Sequence, residues 1–455
     1  MIKIFNPKKL ILIVTISALI LSDTGCTPAT QFEDSSSSDS DTNNTKNSTY
    51  TTYIDLALAA YYPELPGWNA VIEAANKKLT ANNITIKTNK IPTSTWEPYY
   101  QKVLTLIASG NGPDIGRIAE SYMPILIQKN QVKEITPRLT EIDTEKYFDN
   151  AFKGAAFTNG KAYGVPCGVY TMLLYYNKDL FDQAGLEYPS ADWNNPITWN
   201  RFREYARKLT NGEGSNKVFG AHVNLGILML NQYFISNNGK RLFDSIGSST
   251  LHYIKNSEIL DMFGCMYRDD KTLLRPVDAK FIGAGDYFRA GRIAMMIEGT
   301  WFHSSAKDIS CFEPGIAAIP SNTGKSVTTS FVDSWVIYSG TKHENESWEA
   351  LKAIISKESF DALAPNGVGG IPATKATVEE FNENMIGSKF DKVSQRAFID
   401  SMDHTVSASY SININDFTQD WNYLVEQYSS GKLSTGEFLA KATDTIRKGN
   451  VKVNK

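Results

Sequence analysis

The alternation of apolar and polar positions predicts strands and helices that follow one another from about residue 50. Residues 51–60 are rich in β-branched and apolar side chains and predict a strand, and residues 67–79 place their apolar positions at helical spacing. A short strand at 84–87 and a helix at 95–108 come next. This βαβα order is typical of α/β proteins with parallel strands.

A third apolar run, residues 114–119, is bounded by Gly112 and Pro113 and predicts a buried parallel strand. In such sheets the ligand binds beyond the carboxyl ends of the strands. We therefore expect ligand contacts in the segments that follow the first and third strands, residues 61–67 and 120–122. Solvated loops with a few surface aromatic residues are an equally good interpretation of any single residue there.

The second half of the chain continues the alternation. Strands are predicted at 171–177 and 293–297, and Thr198 is placed to cap a helix that carries its apolar residues on one face. The chain ends with helices, and the last of them opens with the capping-box pair Ser434 and Glu437. The body of the protein is therefore predicted to be α/β throughout.

The first 25 residues predict an export signal. Three lysines precede the run 10–21, which is apolar except at Thr15 and Ser17. This run is too short to span a bilayer but suits the core of a signal peptide. A buried N-terminal helix is the weaker alternative, because lysines flank the run and a polar stretch follows it. Gly25 and Cys26 resemble the end of a bacterial lipobox, whose cysteine becomes the lipidated first residue. Asp23 stands where that pattern has an aliphatic residue.

Residues 26–49 are predicted to be a lipidated cysteine followed by a flexible tether. Ser or Thr fills 11 of the 23 positions from 27 to 49, and almost nothing there can be buried. Such a segment cannot offset its own ordering entropy. A diacylated Cys26 supplies the two chains that stable anchoring requires, so we expect a globular body held just outside a membrane.

Composition narrows the classes of function. Hydrophobic residues at 42% and charged residues at 21% are ordinary for a globular protein, and a net charge of −3 lacks the basic excess of nucleic-acid binders. Cys167, Cys265 and Cys311 are unclustered and predict buried small side chains. The five histidines show no metal-binding spacing. We expect neither a disulfide framework nor a metal or cofactor.

Enzyme motifs are missing from the sequence. It holds no Walker loop, no nucleophile elbow and no complete dinucleotide fingerprint. Its 49 acidic residues include no pair that the sequence marks as a glycosidase dyad. We therefore expect a protein that is not an enzyme, with a secreted enzyme as the alternative.

Six short motifs follow one another in a fixed order. They are ASGNGPDI at 108–115, GKAYGVP at 160–166, YYNKDLF at 175–181, TW at 198–199, GRIAMM with GTW at 291–301, and GIPA at 370–373. In this order, behind a lipoprotein-like signal, they resemble the extracellular solute-binding proteins of carbohydrate ABC importers, the family that includes maltose-binding protein. The resemblance covers about residues 50–450.

The resemblance implies a two-lobed, periplasmic-binding-protein-like α/β fold of type II, with the ligand enclosed between the lobes. The implied segments are 50–168 plus 333–378 for lobe one and 170–331 plus 380–455 for lobe two. The chain would cross between these discontinuous lobes at a hinge, near Val169, near Val332 and after Ala373. Few residues absorb such a hinge rotation, and each lobe moves as a body.

The resemblance also implies two aromatic ligand contacts. Trp301 stands in the family's Gly-Pro-Trp motif, with Thr300 in place of the proline, where an aromatic ring stacks on a sugar. Tyr170 matches a position from which relatives reach the ligand at a lobe crossing. A core tryptophan and a packing tyrosine are the alternatives. Trp96 is assigned to packing, and Asp114 to turn structure.

The remaining candidates are mostly polar. Glu120 and Ser121 follow the third strand and Glu64 lies in the first loop, where a carboxylate can accept two sugar hydroxyls. Asp333 and Trp335 flank the crossing back to lobe one. Loop solvation explains the two glutamates equally well, and packing is the favoured alternative for Trp335.

Together these observations predict a monomeric, lipid-anchored extracytoplasmic protein. It would capture a sugar or oligosaccharide between its lobes and deliver it to the permease subunits of an ABC transporter, with no nucleic-acid partner. Ligand binding would shift an equilibrium between open and closed forms. A sensor that presents the same fold to a membrane receptor, and a binder of a non-sugar solute, are the open alternatives.

Overall fold

The computed structural model describes residues 50–60, 64–93, 95–239, 241–243, 257–279, 282–363, 370–375, 378–383, 389–408, 410 and 414–451. The predicted export signal, Cys26 and the whole of the predicted tether lie outside these residues. Within the described ranges, no helix is both long enough and apolar enough to cross a membrane.

The described residues form thirteen strands and sixteen α-helices. The strands are β1 Thr52–Ala60, β2 Ile84–Pro92, β3 Ile115–Ile118, β4 Phe157–Thr158, β5 Lys161–Ala162, β6 Val165–Tyr170, β7 Met172–Asn177, β8 Phe219–Val223, β9 Ile293–Gly299, β10 Pro314–Ala317, β11 Thr328–Ile337, β12 Ile371–Pro372 and β13 Thr405–Ser407. The helices are α1 Leu65–Leu79, α2 Trp96–Ala108, α3 Met123–Gln128, α4 Lys178–Gln183, α5 Trp199–Leu209, α6 Leu230–Ser236, α7 Ser257–Arg268, α8 Pro276–Ala279, α9 Ala284–Arg289, α10 His303–Ala306, α11 Glu344–Ile354, α12 Lys357–Leu363, α13 Val378–Phe381, α14 Lys392–Asp400, α15 Thr418–Ser429 and α16 Thr435–Val451.

Among the described residues, seven strands join into a first sheet in the order β12-β6-β11-β3-β1-β2, with β13 paired to β11. Strand β1 is parallel to both β2 and β3, whereas β11 is antiparallel to β3 and β6. The run predicted as the first strand therefore lies inside the sheet, where Leu56 and Leu58 are fully buried. Parallel strands covered on both faces have such continuous apolar runs.

Helix α1 covers part of the first sheet. Its apolar positions at helical spacing, among them Trp68, Val71 and Ala75, are buried, and α11 and α12 pack beside it. A proline in its first turn costs no hydrogen bond, because the N–H groups there have no partner within the helix. The apolar positions that predicted a helix at residues 67–79 therefore lie on the buried face of α1.

A second sheet contains four strands of the described chain in the order β10-β7-β9-β8. Strand β7 is antiparallel to both of its neighbours, and β8 is parallel to β9. Helix α5 packs on β8, and the predicted cap is confirmed because Thr198 Oγ1 accepts the Arg201 N–H at 3.1 Å. The capping box of α16 is confirmed too: Ser434 N donates to Glu437 Oε2 at 2.8 Å and Glu437 N donates to Ser434 Oγ at 3.3 Å.

A single residue connects the two sheets between β6 and β7. Strand β6 ends at Tyr170 in the first sheet and β7 begins at Met172 in the second, so only Thr171 lies between them. Thr171 N donates to Thr300 Oγ1 at 3.3 Å, and Thr300 N donates to Thr171 O at 2.9 Å. A proline at position 300 has neither an N–H nor a hydroxyl, so the threonine adds both bonds at this connection.

The three positions predicted as lobe crossings lie side by side. Val169 in β6 pairs with Val332 in β11 on one side and with Ile371 in β12 on the other. The third predicted crossing follows directly after β12. The lobe boundaries and the hinge itself stay predictions.

The expectation that the cysteines are buried is right for only one of them. Cys167 is buried in β6, whereas Cys265 is half-buried and Cys311 is exposed. Cys311 lies in the loop before β10, where its thiol contacts the carbonyl oxygen of Arg289 at 3.3 Å instead of entering the core.

Gly220 offers a test of the packing between helix and sheet. A Cβ at this residue would lie 1.8 Å from the carbonyl oxygen of Ala206 in α5, so the two backbones would have to separate. We expect Gly220→Ala to lower the free energy of unfolding by about 2 to 3 kcal/mol in urea denaturation. Gly436→Ala is the control, because nothing lies within 4 Å of that position and alanine favours a helix. Equal stability of the two variants would contradict this packing.

Candidate functional site

A cavity of about 430 Å³ opens where strand ends from both sheets meet. Ala59 is near the end of β1 and Ala119 follows β3, while Leu228 follows β8 and Trp301 follows β9. These are carboxyl ends of parallel strands, where α/β sheets bind ligands. The other lining residues are Glu64, Thr93, Thr95, Trp96, Arg117, Glu120, Ser121, Tyr170, Met229, Phe331 and Asp333.

The structure brings six of the seven predicted ligand residues to this cavity. They are Glu64, Glu120, Ser121, Tyr170, Trp301 and Asp333. Trp335 is the exception: it is fully buried and packs edge-on against Trp68, with ring centroids 5.5 Å apart. It pairs with Arg117 between β11 and β3, and Trp68 of α1 covers it. Placing Trp335 in the site was therefore wrong, and its packing alternative is correct.

Arg117 lies at the polar side of the cavity and was not among the ligand residues predicted from the sequence. This β3 residue is only 3% exposed; its Nη1 is 3.0 Å from Glu64 Oε2 and its Nη2 is 2.8 Å from Asp333 Oδ2. Nη2 also donates to the hydroxyl of Tyr170. One guanidinium thus joins three predicted ligand residues from three separate segments. A basic residue inside a run predicted to be a buried strand could have signalled this, because a buried charge needs partners.

Two tryptophans surround the guanidinium. The Arg117 Cζ atom lies 4.6 Å from the ring centroid of Trp68 and 5.1 Å from that of Trp96, within the range of cation–π attraction. Trp68 Nε1 also donates to Glu64 Oε2 at 3.3 Å. Trp96 was expected only to pack, but it lines the cavity and is half-buried because α2 begins at this residue.

The buried carboxyl groups differ in what they bind. Glu120 Oε1 accepts the Ala155 N–H at 3.0 Å and Oε2 accepts the Val332 N–H at 2.9 Å, so both of its oxygens hold the backbone. Burial raises the pKa of Glu120 to about 8, although these two bonds act in the opposite direction. Burial also raises the pKa of Asp333 to about 6 against the opposing charge of Arg117. Glu120 therefore lines the site chiefly as a support for its backbone.

Aromatic rings form the other side of the cavity. The Trp301 ring centroid is 6.3 Å from that of Tyr170 and 6.3 Å from that of Phe331. The Trp301 ring lies over the backbone of Gly299, where a Cβ would come within 2.3 Å of it. Only glycine permits this position. Ring faces opposite carboxylates suit a ligand with apolar C–H faces and hydroxyl edges.

In the described part of the chain, no group of three or more His, Cys, Asp or Glu side chains could hold a metal ion. Asp114 has the structural role assigned to it, because its carboxylate accepts the Asp55 N–H at 2.9 Å and bonds Thr341 Oγ1 at 2.5 Å.

Residues 70–385 match the profile of the bacterial extracellular solute-binding proteins. The chain belongs to this family. The matched range includes β3 with Arg117, the connection at Thr171 and all of β11. Most of the site described above therefore falls within it.

Known members and solved structures agree with this membership. A binding protein of Brucella abortus (strain 2308) is 24% identical over 308 residues, which are 67% of this chain and 72% of the relative. A maltooligosaccharide ABC transporter solute-binding lipoprotein of Streptococcus pneumoniae (strain ATCC BAA-255 / R6) is 23% identical over 368 residues, 77% of this chain and 76% of the relative. An ABC substrate-binding protein from Listeria monocytogenes, solved in complex with cycloalternan, superposes with a TM-score of 0.74 at 21% identity, covering 88% of this chain and 98% of that one. The predicted two-lobed type II fold is confirmed.

Replacement of Arg117 tests whether the site depends on its charge. We expect Arg117→Met to lower the free energy of unfolding by about 3 to 5 kcal/mol at pH 8, because Glu64 and Asp333 would remain buried without their shared cation. The loss should shrink toward pH 5. A carboxyl whose folded-state pKa is raised favours folding below that pKa and opposes it as the pH rises through it.

Urea unfolding of the variant and the parent protein at pH 5 and pH 8 measures this effect. Arg201→Met is the control, because it removes an exposed pair with Glu204 and should leave stability nearly unchanged. A penalty for Arg117→Met that is equal at the two pH values would show that lost packing, not uncompensated charge, is responsible.

Proposed function

We propose that this protein captures a sugar or oligosaccharide in the cavity and delivers it to the permease subunits of an ABC transporter. The main support for this proposal is that the cavity has an aromatic side and a polar side. Trp301, Tyr170 and Phe331 offer ring faces, whereas Glu64 and Asp333 offer acceptors for hydroxyl groups. A sugar ring has the complementary pair of surfaces.

The size of the cavity and the named relatives support a sugar ligand. A volume of about 430 Å³ is within the range of small-molecule sites, about 300 to 1,000 Å³. The pneumococcal relative is described as binding maltooligosaccharides, and the Listeria protein was solved with cycloalternan. We extend this ligand class, though not a particular sugar, to the present chain.

The proposed mechanism is closure around the ligand. Residues of both sheets line the cavity, with Trp96 and Glu64 on the side of the first sheet and Met229 and Trp301 on the side of the second. A ligand that contacts both sides binds the closed form better than the open form, and so shifts the equilibrium between them. The adjacent strands β6, β11 and β12 would carry the hinge, and the permease would recognise the closed shape. Function would rest on binding alone, without catalysis.

We further propose that the mature protein is a monomer anchored outside the cell membrane through lipidated Cys26. The apolar run at 10–21, the Gly25-Cys26 pair and the Ser- and Thr-rich segment up to residue 49 support this arrangement. Two acyl chains give stable anchoring, and the tether would leave the body free to meet its permease.

A ligand screen tests the proposed function directly. Thermal unfolding of the purified protein would be followed with mono- and oligosaccharides, and with amino acids, polyamines and phosphate esters as controls. A ligand at 100 times its dissociation constant stabilises the folded protein by about 2.7 kcal/mol, which raises the melting temperature by a few degrees. We expect a shift with one class of glycan. A response confined to the controls would leave the fold intact and overturn the carbohydrate assignment.

Trp301→Ala should weaken binding of the sugar found in that screen at least tenfold, because the ligand would lose its stacking surface. Isothermal titration calorimetry measures the dissociation constant, and a melting curve checks that the variant is folded. Tyr423→Ala is the control, since Tyr423 is an aromatic residue that is 61% exposed and does not line the cavity. Unchanged affinity in Trp301→Ala would remove this residue from the site.

Cys26→Ser should abolish lipidation. We expect the parent protein to incorporate labelled palmitate in bacterial cells and to fractionate with membranes, and the variant to do neither. Cys311→Ser, which alters a thiol that is exposed on the folded body, should behave like the parent. A parent protein without label would overturn the proposed anchor and leave ligand binding untouched.

A further inference from the structure

We propose that the cavity selects its ligand by charge: it takes uncharged glycans and rejects glycans that carry carboxylate, sulfate or phosphate groups beside Glu64 and Asp333. This inference rests on the proposed function and narrows its ligand class.

Acidic groups outnumber basic groups among the described residues that line the cavity. Glu64, Glu120 and Asp333 are the acids, and Arg117 is the one base. Even where Glu120 is protonated, two carboxylates share a single cation. An anionic ligand would therefore meet an excess of like charge.

The single cation is already engaged at its edges and its faces. The Arg117 Nη atoms bond Glu64, Asp333 and Tyr170, and the rings of Trp68 and Trp96 lie within 4.6 and 5.1 Å of its Cζ. An anion could form a paired contact with this guanidinium only by displacing a carboxylate. Its Nε has no hydrogen-bond partner among the described residues, and one neutral hydroxyl oxygen or water would satisfy that donor.

Burial makes the excess charge effective. Glu64 is 6% exposed and Asp333 is 5% exposed, so little water lies between these carboxylates and a bound ligand. Charges in such a site interact several times more strongly than in bulk water, and salt screens them less. A hydroxyl group can donate to a carboxylate, whereas an ionised acid on the ligand has no proton to donate. The same groups that suit a neutral sugar therefore repel its acid.

The test compares sugars that differ only in charge. The purified protein is titrated with maltotriose, cellotriose and mannotriose, with each trisaccharide oxidised at C6 of every ring to the uronic acid, and with the matching uronamides. The uronamide is the control, because it has nearly the shape of the acid without its charge. Oxidation of every ring makes the comparison independent of which ring binds nearest to Glu64 and Asp333.

We expect a trisaccharide that binds in its neutral form to bind on the order of 100-fold more weakly as the acid, with the uronamide within about tenfold of the parent sugar. An acid that binds as tightly as its uronamide would overturn the inference and leave the proposed function standing. Failure of all nine compounds, together with a hit among the non-sugar controls of the earlier screen, would overturn the proposed function and this inference with it.

Two variants locate the discrimination. Glu64→Gln and Asp333→Asn each leave one of these two carboxylates to pair with the guanidinium. The ratio of the dissociation constants of the acid and the uronamide should therefore fall at least tenfold in each variant. Glu349→Gln, which alters a half-buried carboxylate on α11 outside the cavity, should leave this difference in affinity unchanged. Both dissociation constants of each ratio are measured on the same variant, so a partly unfolded sample does not change the ratio. A ratio that both cavity variants leave unaltered would contradict the proposed origin of the selectivity.

Discussion

The buried guanidinium of Arg117 is the interaction on which the site depends. It holds Glu64, Asp333 and Tyr170 together, and these residues come from the segment before α1, from β11 and from β6. A buried ion pair adds little net stability, since desolvation offsets most of its Coulomb attraction. Its effect lies in position: the polar side of the cavity is assembled before a ligand arrives, which reduces the ordering that binding requires.

The two sides of the cavity are built in different ways. The aromatic side depends on neighbours in sequence, because the Trp301 ring rests on Gly299 two residues before it. The polar side depends on contacts between distant segments, with Glu120 joining the end of β3 to β11 through its bond to the Val332 N–H. A change in the Trp301 ring can therefore be local, whereas a change in the polar side disturbs the sheet that carries it.

This difference explains how much of the molecule could be predicted from its sequence. Periodicity and caps located the main strands and helices. The positions after strands led to Glu64 and Ser121, and the resemblance to the family's Gly-Pro-Trp motif led to Trp301. Arg117 was missed because its partners Glu64 and Asp333 lie 53 and 216 residues away, and no local pattern records such a pairing. Trp335 was misplaced because Trp68 of α1 covers it, and the pattern of a strand does not record which distant side chain packs on a given residue.

The connection at Thr171 has a consequence for how this chain can change in length. Both faces of β7 are buried, and Tyr175 packs there against Phe302 and His303. Successive side chains of a strand point to opposite faces, so one inserted residue at Thr171 would exchange the two faces of β7. An insertion of an odd number of residues at this connection would therefore turn the core-facing side chains of β7 to the opposite face. An insertion of an even number would leave each side chain of β7 on its present face.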